Sequence, residues 1–265
     1  RMVATKTRSF ASATRSSVLT TKGIVCSSSP LAGSIGAQVL REGGNAFDAA
    51  VATAAAEAVT LPPMCGLGGE VFALMYDANT RKIHGIPGGG RAPMRATREF
   101  FVDQGYTKMP PDGPLTPSVP GEVDAWQTIL ERFGTRKLDK LMAPAIDLAE
   151  QGFPLPQHIS AYFTQALKKL VKYPTSAAIF IKPDGSPYGA GDMLVQKNLA
   201  RTMRRVAEGG ADEFYRGGLA RELAAGIAAG GGLIDEADLA GQRSVVYDAP
   251  PSVGFAGHTV FATDL

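Results

Sequence analysis

Residues 87–97 read PGGGRAPMRAT, three successive glycines followed at once by Arg91, with Arg95 a little further on. A glycine run beside a cation can cradle phosphate with bare N–H groups, bring backbone against a small substrate, or turn a corner that side chains would block. The phosphate reading needs a lysine and a helix N-terminus straight after the glycines, and RAPMRAT supplies neither. Arg91 is the cation that the run sets beside the glycines, and what it meets is left open by the run itself. Arg95 is expected to lie in solvent.

Other polar residues are placed by the same reasoning. Glu70 stands in an apolar stretch, where a carboxylate must be paired or exposed, and an ion pair is the expectation. Asp48, three residues after Asn45, reads as a helix-capping group rather than an acid or base. His84 and Tyr76 fall in a strand pattern and are expected on the surface of a sheet. Cys26 and Cys65 have no metal or redox spacing and are expected to act as small buried hydrophobes. His84, His158 and His258 are isolated from one another, so no metal site and no cofactor is expected.

Composition narrows the classes. The 265 residues are 45% hydrophobic and 20% charged, which suits one folded domain. A net charge of +2, spread along the chain, leaves no basic stripe for nucleic acid. The longest apolar stretch, residues 46–64, is rich in alanine and interrupted by Asp48 and Glu57, short of what a bilayer span requires. Residues 1–22 are basic and rich in Ser and Thr without the apolar core of a secretory signal, and read as a disordered or extended arm. They leave the compartment open.

The elements that must position these residues follow from periodicity and punctuation. Gly23 to Cys26 reads as a short strand. A helix follows, capped by Ser29, started by Pro30 and stopped by Gly43, with Leu31, Ile35 and Val39 facing inward. Asn45 starts a second helix, alanine-rich and hence closely packed, which Pro62 and Pro63 end. A hairpin is predicted from Val71–Tyr76 and Ile83–Ile86 about the turn DANTRK. Further helices are predicted from Val123 to Phe133, Leu138 to Gln151 and His158 to Val171. A glycine-broken helical region from Asn198, a short turn capped by Asp235, and strands about a glycine turn near Phe255 and His258 to Phe261 complete the reading.

Gly43–Ala52, GGNAFDAAVA, and Gly66–Asp77, GLGGEVFALMYD, resemble at their spacing two motifs of the γ-glutamyltranspeptidase family. The likeness continues through Val119–Leu155 and Asp212–Gly241 and covers about Gly23 to Leu265. It implies an α+β fold, the four-layer αββα sandwich of N-terminal nucleophile hydrolases, left incomplete without a small subunit cut from the same precursor. It further implies a nucleophilic threonine at the new N-terminus of that subunit, with residues 23–265 a large-subunit portion that stops before the self-cleavage site. Such a chain is expected to hold no catalytic residue and to be inactive alone.

In the family, an R-E-x-A-P motif supplies the arginine that clamps the α-carboxylate of the γ-glutamyl group. Aligned on Ala92 and Pro93, this sequence has Gly89 at the arginine and Gly90 at the glutamate. The resemblance implies an enzyme acting on a γ-glutamyl amide such as glutathione, with Arg91, two residues on, as the substrate-binding candidate for the carboxylate or else a surface or ion-pairing arginine, and the glycine at position 89 weakens that substrate. A related acylase acting on another small amide, and a non-catalytic scaffold, stay open beside it.

Overall fold

The computed structural model describes residues 17–264. Most of the proposed arm, residues 1–16, lies outside them, and residues 17–22 form neither helix nor strand. The predicted strand at Gly23 to Cys26 is absent too: no strand lies beside it among the described residues, and Ile24 is exposed. Cys26 is exposed and Cys65 half-buried, so neither is the buried hydrophobe expected.

Helix α1 (Pro30–Arg41) has Ser29 as its cap, Pro30 in its first turn and Gly43 at a φ of 85° just beyond it. Its buried face is Ala32, Gly36 and Val39, so Leu31 and Ile35 flank the contact instead of centring it. The reason is the neighbour. A Cβ on Gly36 would sit 2.1 Å from Thr53 Oγ1 of α2 (Ala46–Thr60), so the smallest residue marks the closest approach.

Helix α2 is enclosed by α1, α4 (Glu122–Phe133) and α5 (Leu138–Gln151), and most of its residues are buried. Asn45 and Asp48 form a capping box at its start. Asp48 also accepts from Thr135 N, Thr135 Oγ1 and Arg136 N, tying α2 to the α4–α5 loop. Burial opposes its charge, but these hydrogen bonds outweigh that and hold its pKa below the ordinary carboxylate range.

Strands β1 (Val71–Asp77) and β2 (Lys82–Gly88) form the predicted antiparallel hairpin, in register from Val71 opposite Gly88 to Asp77 opposite Lys82. Met75 and Ile86 face the core, while Phe72, Leu74 and Tyr76 are exposed on the other face. His84 corrects the surface expectation. It is 4% exposed, with Nδ1 3.0 Å from Asp248 Oδ1 and its ring against Phe133. Asp248 also pairs with Arg132, and the Gly85–Tyr247 bridge joins the same segment to β2.

A short helix α3 (Arg98–Asp103), capped by Thr97, stands in a stretch otherwise made of loop. Beyond α5 come β3 (Phe153–Pro154), α6 (Gln157–Leu170), α7 (Pro174–Phe180) and β4 (Met193–Leu194), which pairs with β3. Helix α8 (Lys197–Tyr215) breaks at Gly210, whose φ is 64°, and α9 (Gly218–Ala229) and α10 (Glu236–Ala240) follow, the last capped by Asp235. The final hairpin, β5 (Ser252–Phe255) and β6 (His258–Phe261), turns through Ala256 and Gly257, both at positive φ. The architecture is α+β, with one helical core and three separate two-stranded ladders among the described residues. No helix in them is long and apolar enough to cross a membrane.

Candidate functional site

The glycine run lies where three backbone segments meet: the lead-in to β1, the end of β2 and the loop before α4. The N–H groups of Gly121 and Glu122 both donate to Gly69 O at 3.0 Å. Tyr215 Oη donates to Pro120 O at 2.9 Å and so ties that loop to the end of α8. A Cβ on Gly121 would lie 2.1 Å from Gly88 O, and one on Gly90 would lie 1.4 Å from Val119 O. No side chain fits at either place. The glycines therefore let β2 run against the 118–121 loop, and Val119 N donates to Arg91 O at 2.9 Å just past the contact.

Position 89 differs from its neighbour. A Cβ there would meet the Phe72 ring at 3.1 Å and the Glu70 carboxyl carbon at 3.8 Å, so a side chain at 89 would point toward Glu70. Glu70 itself is exposed and accepts from Ser118 Oγ at 2.7 Å. It makes no ion pair among the described residues, against expectation; the partner found there is the Ser118 hydroxyl.

Arg91 points elsewhere. It is exposed, has no ion pair among the described residues, and lines a pocket of about 200 Å³ with Met94, Val119, Asp238 and Gln242. Thus Arg91, two residues beyond the clamp position, lines a pocket that Gly89 does not line. Arg95 is exposed as expected.

Two polar residues here were not singled out from sequence. Glu122 opens α4 at 6% exposure, with Oε2 beside Gly69, and its carboxyl has no hydrogen-bond partner among the described residues. Burial, with the Glu57 charge second, pushes its pKa up to about 8. Cys65 shares this corner, its thiol pushed up to about 11 by burial and then by Glu57 and Glu122. Gln242 is the second. The pattern PGEVDAW announces a helix start, which disguises Glu122 as a first-turn acid, and Gln242 follows α10 with no local signal. No group of three or more His, Cys, Asp or Glu side chains is arranged to hold a metal ion among the described residues.

Comparison with known proteins places this architecture. The γ-glutamyltranspeptidase family model matches residues 32–265. The glutathione hydrolase proenzyme of Bacillus subtilis is 36% identical over 245 residues, which are 91% of this chain and 41% of that protein. The acylase ACY 1 proenzyme of Pseudomonas sp. strain SE83 is 38% identical over 231 residues, 84% of this chain and 41% of that protein. The chain thus spans about two-fifths of the length of these relatives. Helicobacter pylori γ-glutamyltranspeptidase superposes with a TM-score of 0.89 at 35% identity, over 94% of this chain and 72% of that one. The fold is that of the N-terminal nucleophile hydrolases, and the chain belongs to the γ-glutamyltranspeptidase family.

Proposed function

We propose that this chain is the large-subunit portion of an amide-cleaving enzyme whose substrate is a γ-glutamyl amide such as glutathione, its carboxylate received by Arg91. The nucleophile is a threonine supplied by a small subunit outside these 265 residues. Two observations support a partner from the same precursor: the relatives bear the name proenzyme and are more than twice as long as the matched region. The exposed row Phe72, Leu74 and Tyr76 on β1, with Val253 and Phe255 on β5, is apolar surface suited to cover by further strands.

In this reading the threonine hydroxyl attacks the amide carbonyl and its proton passes to the threonine's own α-amine. That proton then goes to the leaving amine as the carbon–nitrogen bond breaks. Water, or an acceptor amine, releases the acyl group and restores the threonine. Residues 1–265 supply no nucleophile to this sequence and are inactive alone; their part is to build the framework and receive the acyl group.

The observation that carries the substrate assignment is the free guanidinium of Arg91 on its pocket, one residue beyond the Gly90 contact. A second reading, a related acylase acting on an amide without the α-amino acid group, is favoured by position 89. With glycine there, the Glu70 carboxylate faces the clamp position unneutralised and repels a substrate carboxylate at that spot. The test is a kcat/KM comparison of glutathione with neutral N-acyl amides on the processed enzyme, with Arg91→Ala beside it. Preference for glutathione, with KM raised about 10- to 100-fold in Arg91→Ala and kcat little changed, supports the γ-glutamyl reading. Preference for neutral N-acyl amides, with Arg91→Ala indistinguishable, supports the acylase.

A further inference from the structure

We infer that Glu70, with Phe72 and the space in front of Gly89, forms a subsite for a primary ammonium group, and that Glu70 sets a preference for ligands carrying one. Glu70 is exposed, and Ser118 Oγ donates to its Oε1 at 2.7 Å. That hydrogen bond fixes the carboxylate, whose other oxygen has no partner among the described residues. The place of the ligand follows from the three glycines. A Cβ on Gly88 would lie 2.7 Å from Ala125 Cβ and from Val71 O, and one on Gly90 would lie 1.4 Å from Val119 O, so packing requires glycine at both. It does not require one at 89. There a Cβ would meet only the far end of the Phe72 ring closely, with Cζ at 3.1 Å, and no positive φ demands glycine. What glycine provides at 89 is therefore room, and the three atoms nearest that point belong to the Phe72 ring and, at 3.8 Å, the Glu70 carboxyl carbon. A group of about methyl size seated just beyond it touches both.

The ligand class follows from the acceptor. An ionised carboxylate only accepts, so the occupant must donate, and Coulomb repulsion excludes a carboxylate or phosphate. A guanidinium binds best through a fork onto both oxygens, but Oε1 is already taken by Ser118. A divalent metal ion needs more oxygens than one carboxylate and a hydroxyl offer, and no cluster suited to a metal exists among the described residues. An ammonium is compact, needs one free oxygen, and can rest its carbon stem on the Phe72 ring, which is 46% exposed.

The part of this subsite in turnover rests on the amide-cleaving reading above, and gives its acylase branch a substrate class: an acyl group that ends in an amine. The binding does not rest on it. Ligand-observed NMR titration of the full-length protein with 4-aminobutanamide, pentanamide and glutaramate tests it, since these share one stem and end in ammonium, methyl and carboxylate. The ammonium compound should bind about 5-fold more tightly than pentanamide, the scale of one exposed ion pair, and glutaramate should bind most weakly. The preference should shrink in high salt. Glu70→Gln, which keeps an acceptor for Ser118, should bring the ammonium and methyl compounds within about 2-fold of each other. Gly89→Arg, which sets a guanidinium against the intact Glu70, should remove the preference as well, with circular dichroism unchanged in both variants. If Gly89→Arg does not fold, Glu70→Gln decides alone. Equal binding of the ammonium and methyl compounds by wild type, or a preference that survives Glu70→Gln, would overturn the subsite. Anilides of the same three acyl groups separate it from the enzyme reading. Ammonium preference in a protein that cleaves none of them leaves the subsite standing and the enzyme reading refuted; cleavage with equal binding does the reverse.

Discussion

Glu122 is where a single side chain most strongly couples this fold to pH. Below its ordinary pKa of 4.5 the carboxyl is protonated both folded and unfolded, and burying it carries no charge penalty. Between there and about 8 the unfolded chain releases the proton that the native state keeps, so stability falls as pH rises and levels off above that range. Glu122→Gln cannot ionise. It should gain on the order of 2 kcal/mol over wild type at alkaline pH and almost nothing in mild acid, read from denaturant midpoints. An equal gain at both pH values would show that Glu122 is not buried as a neutral acid. The glycines make a second residue-scale prediction. Gly90→Ala drives a methyl into the Val119 carbonyl and should cost more than about 3 kcal/mol, whereas Gly89→Ala meets only the yielding Phe72 ring and should cost about 1 kcal/mol or less. Thermal denaturation of the pair decides it; similar losses would mean that the backbone contact is not as drawn. The sequence made Arg91 conspicuous. Gln242 was invisible, because a glutamine after a short helix becomes unusual only when its amide is found buried without an acceptor.

At the scale of elements, local chemistry was legible wherever it was self-contained. Ser29, Asn45 and Asp235 each cap the helix their spacing announced, and the Asp77 to Lys82 turn closes the predicted hairpin. What failed depended on partners distant in sequence. The strand read at Gly23 to Cys26 has no neighbour to pair with among the described residues, and His84 is taken off the surface by Phe133 and Asp248. Gly36 shifts the packed face of α1 because Thr53 stands opposite it. Asp48 joins both kinds of information, capping α2 and accepting from three groups of the α4–α5 loop. Asp48→Ala should therefore cost more than an ordinary cap, about 2–4 kcal/mol by denaturant unfolding, and a loss below about 1 kcal/mol would show that the loop contacts contribute nothing.

For the whole molecule, the family was readable from long motifs in order, while the disposition of its binding groups needed three dimensions. The glycine run that aligns with a family clamp holds backbone against backbone, and the cation after it lines a pocket that Gly89 does not line. An apolar row on β1 stands open beside that run. The most direct measurement is the turnover of a γ-glutamyl anilide by residues 1–265 alone and by the product of the full reading frame, with the latter followed on a gel. The account predicts no turnover by the 265 residues, and cleavage of the longer chain into two pieces that together release the aniline. Turnover by residues 1–265 alone, or an uncleaved longer chain without activity, would contradict it.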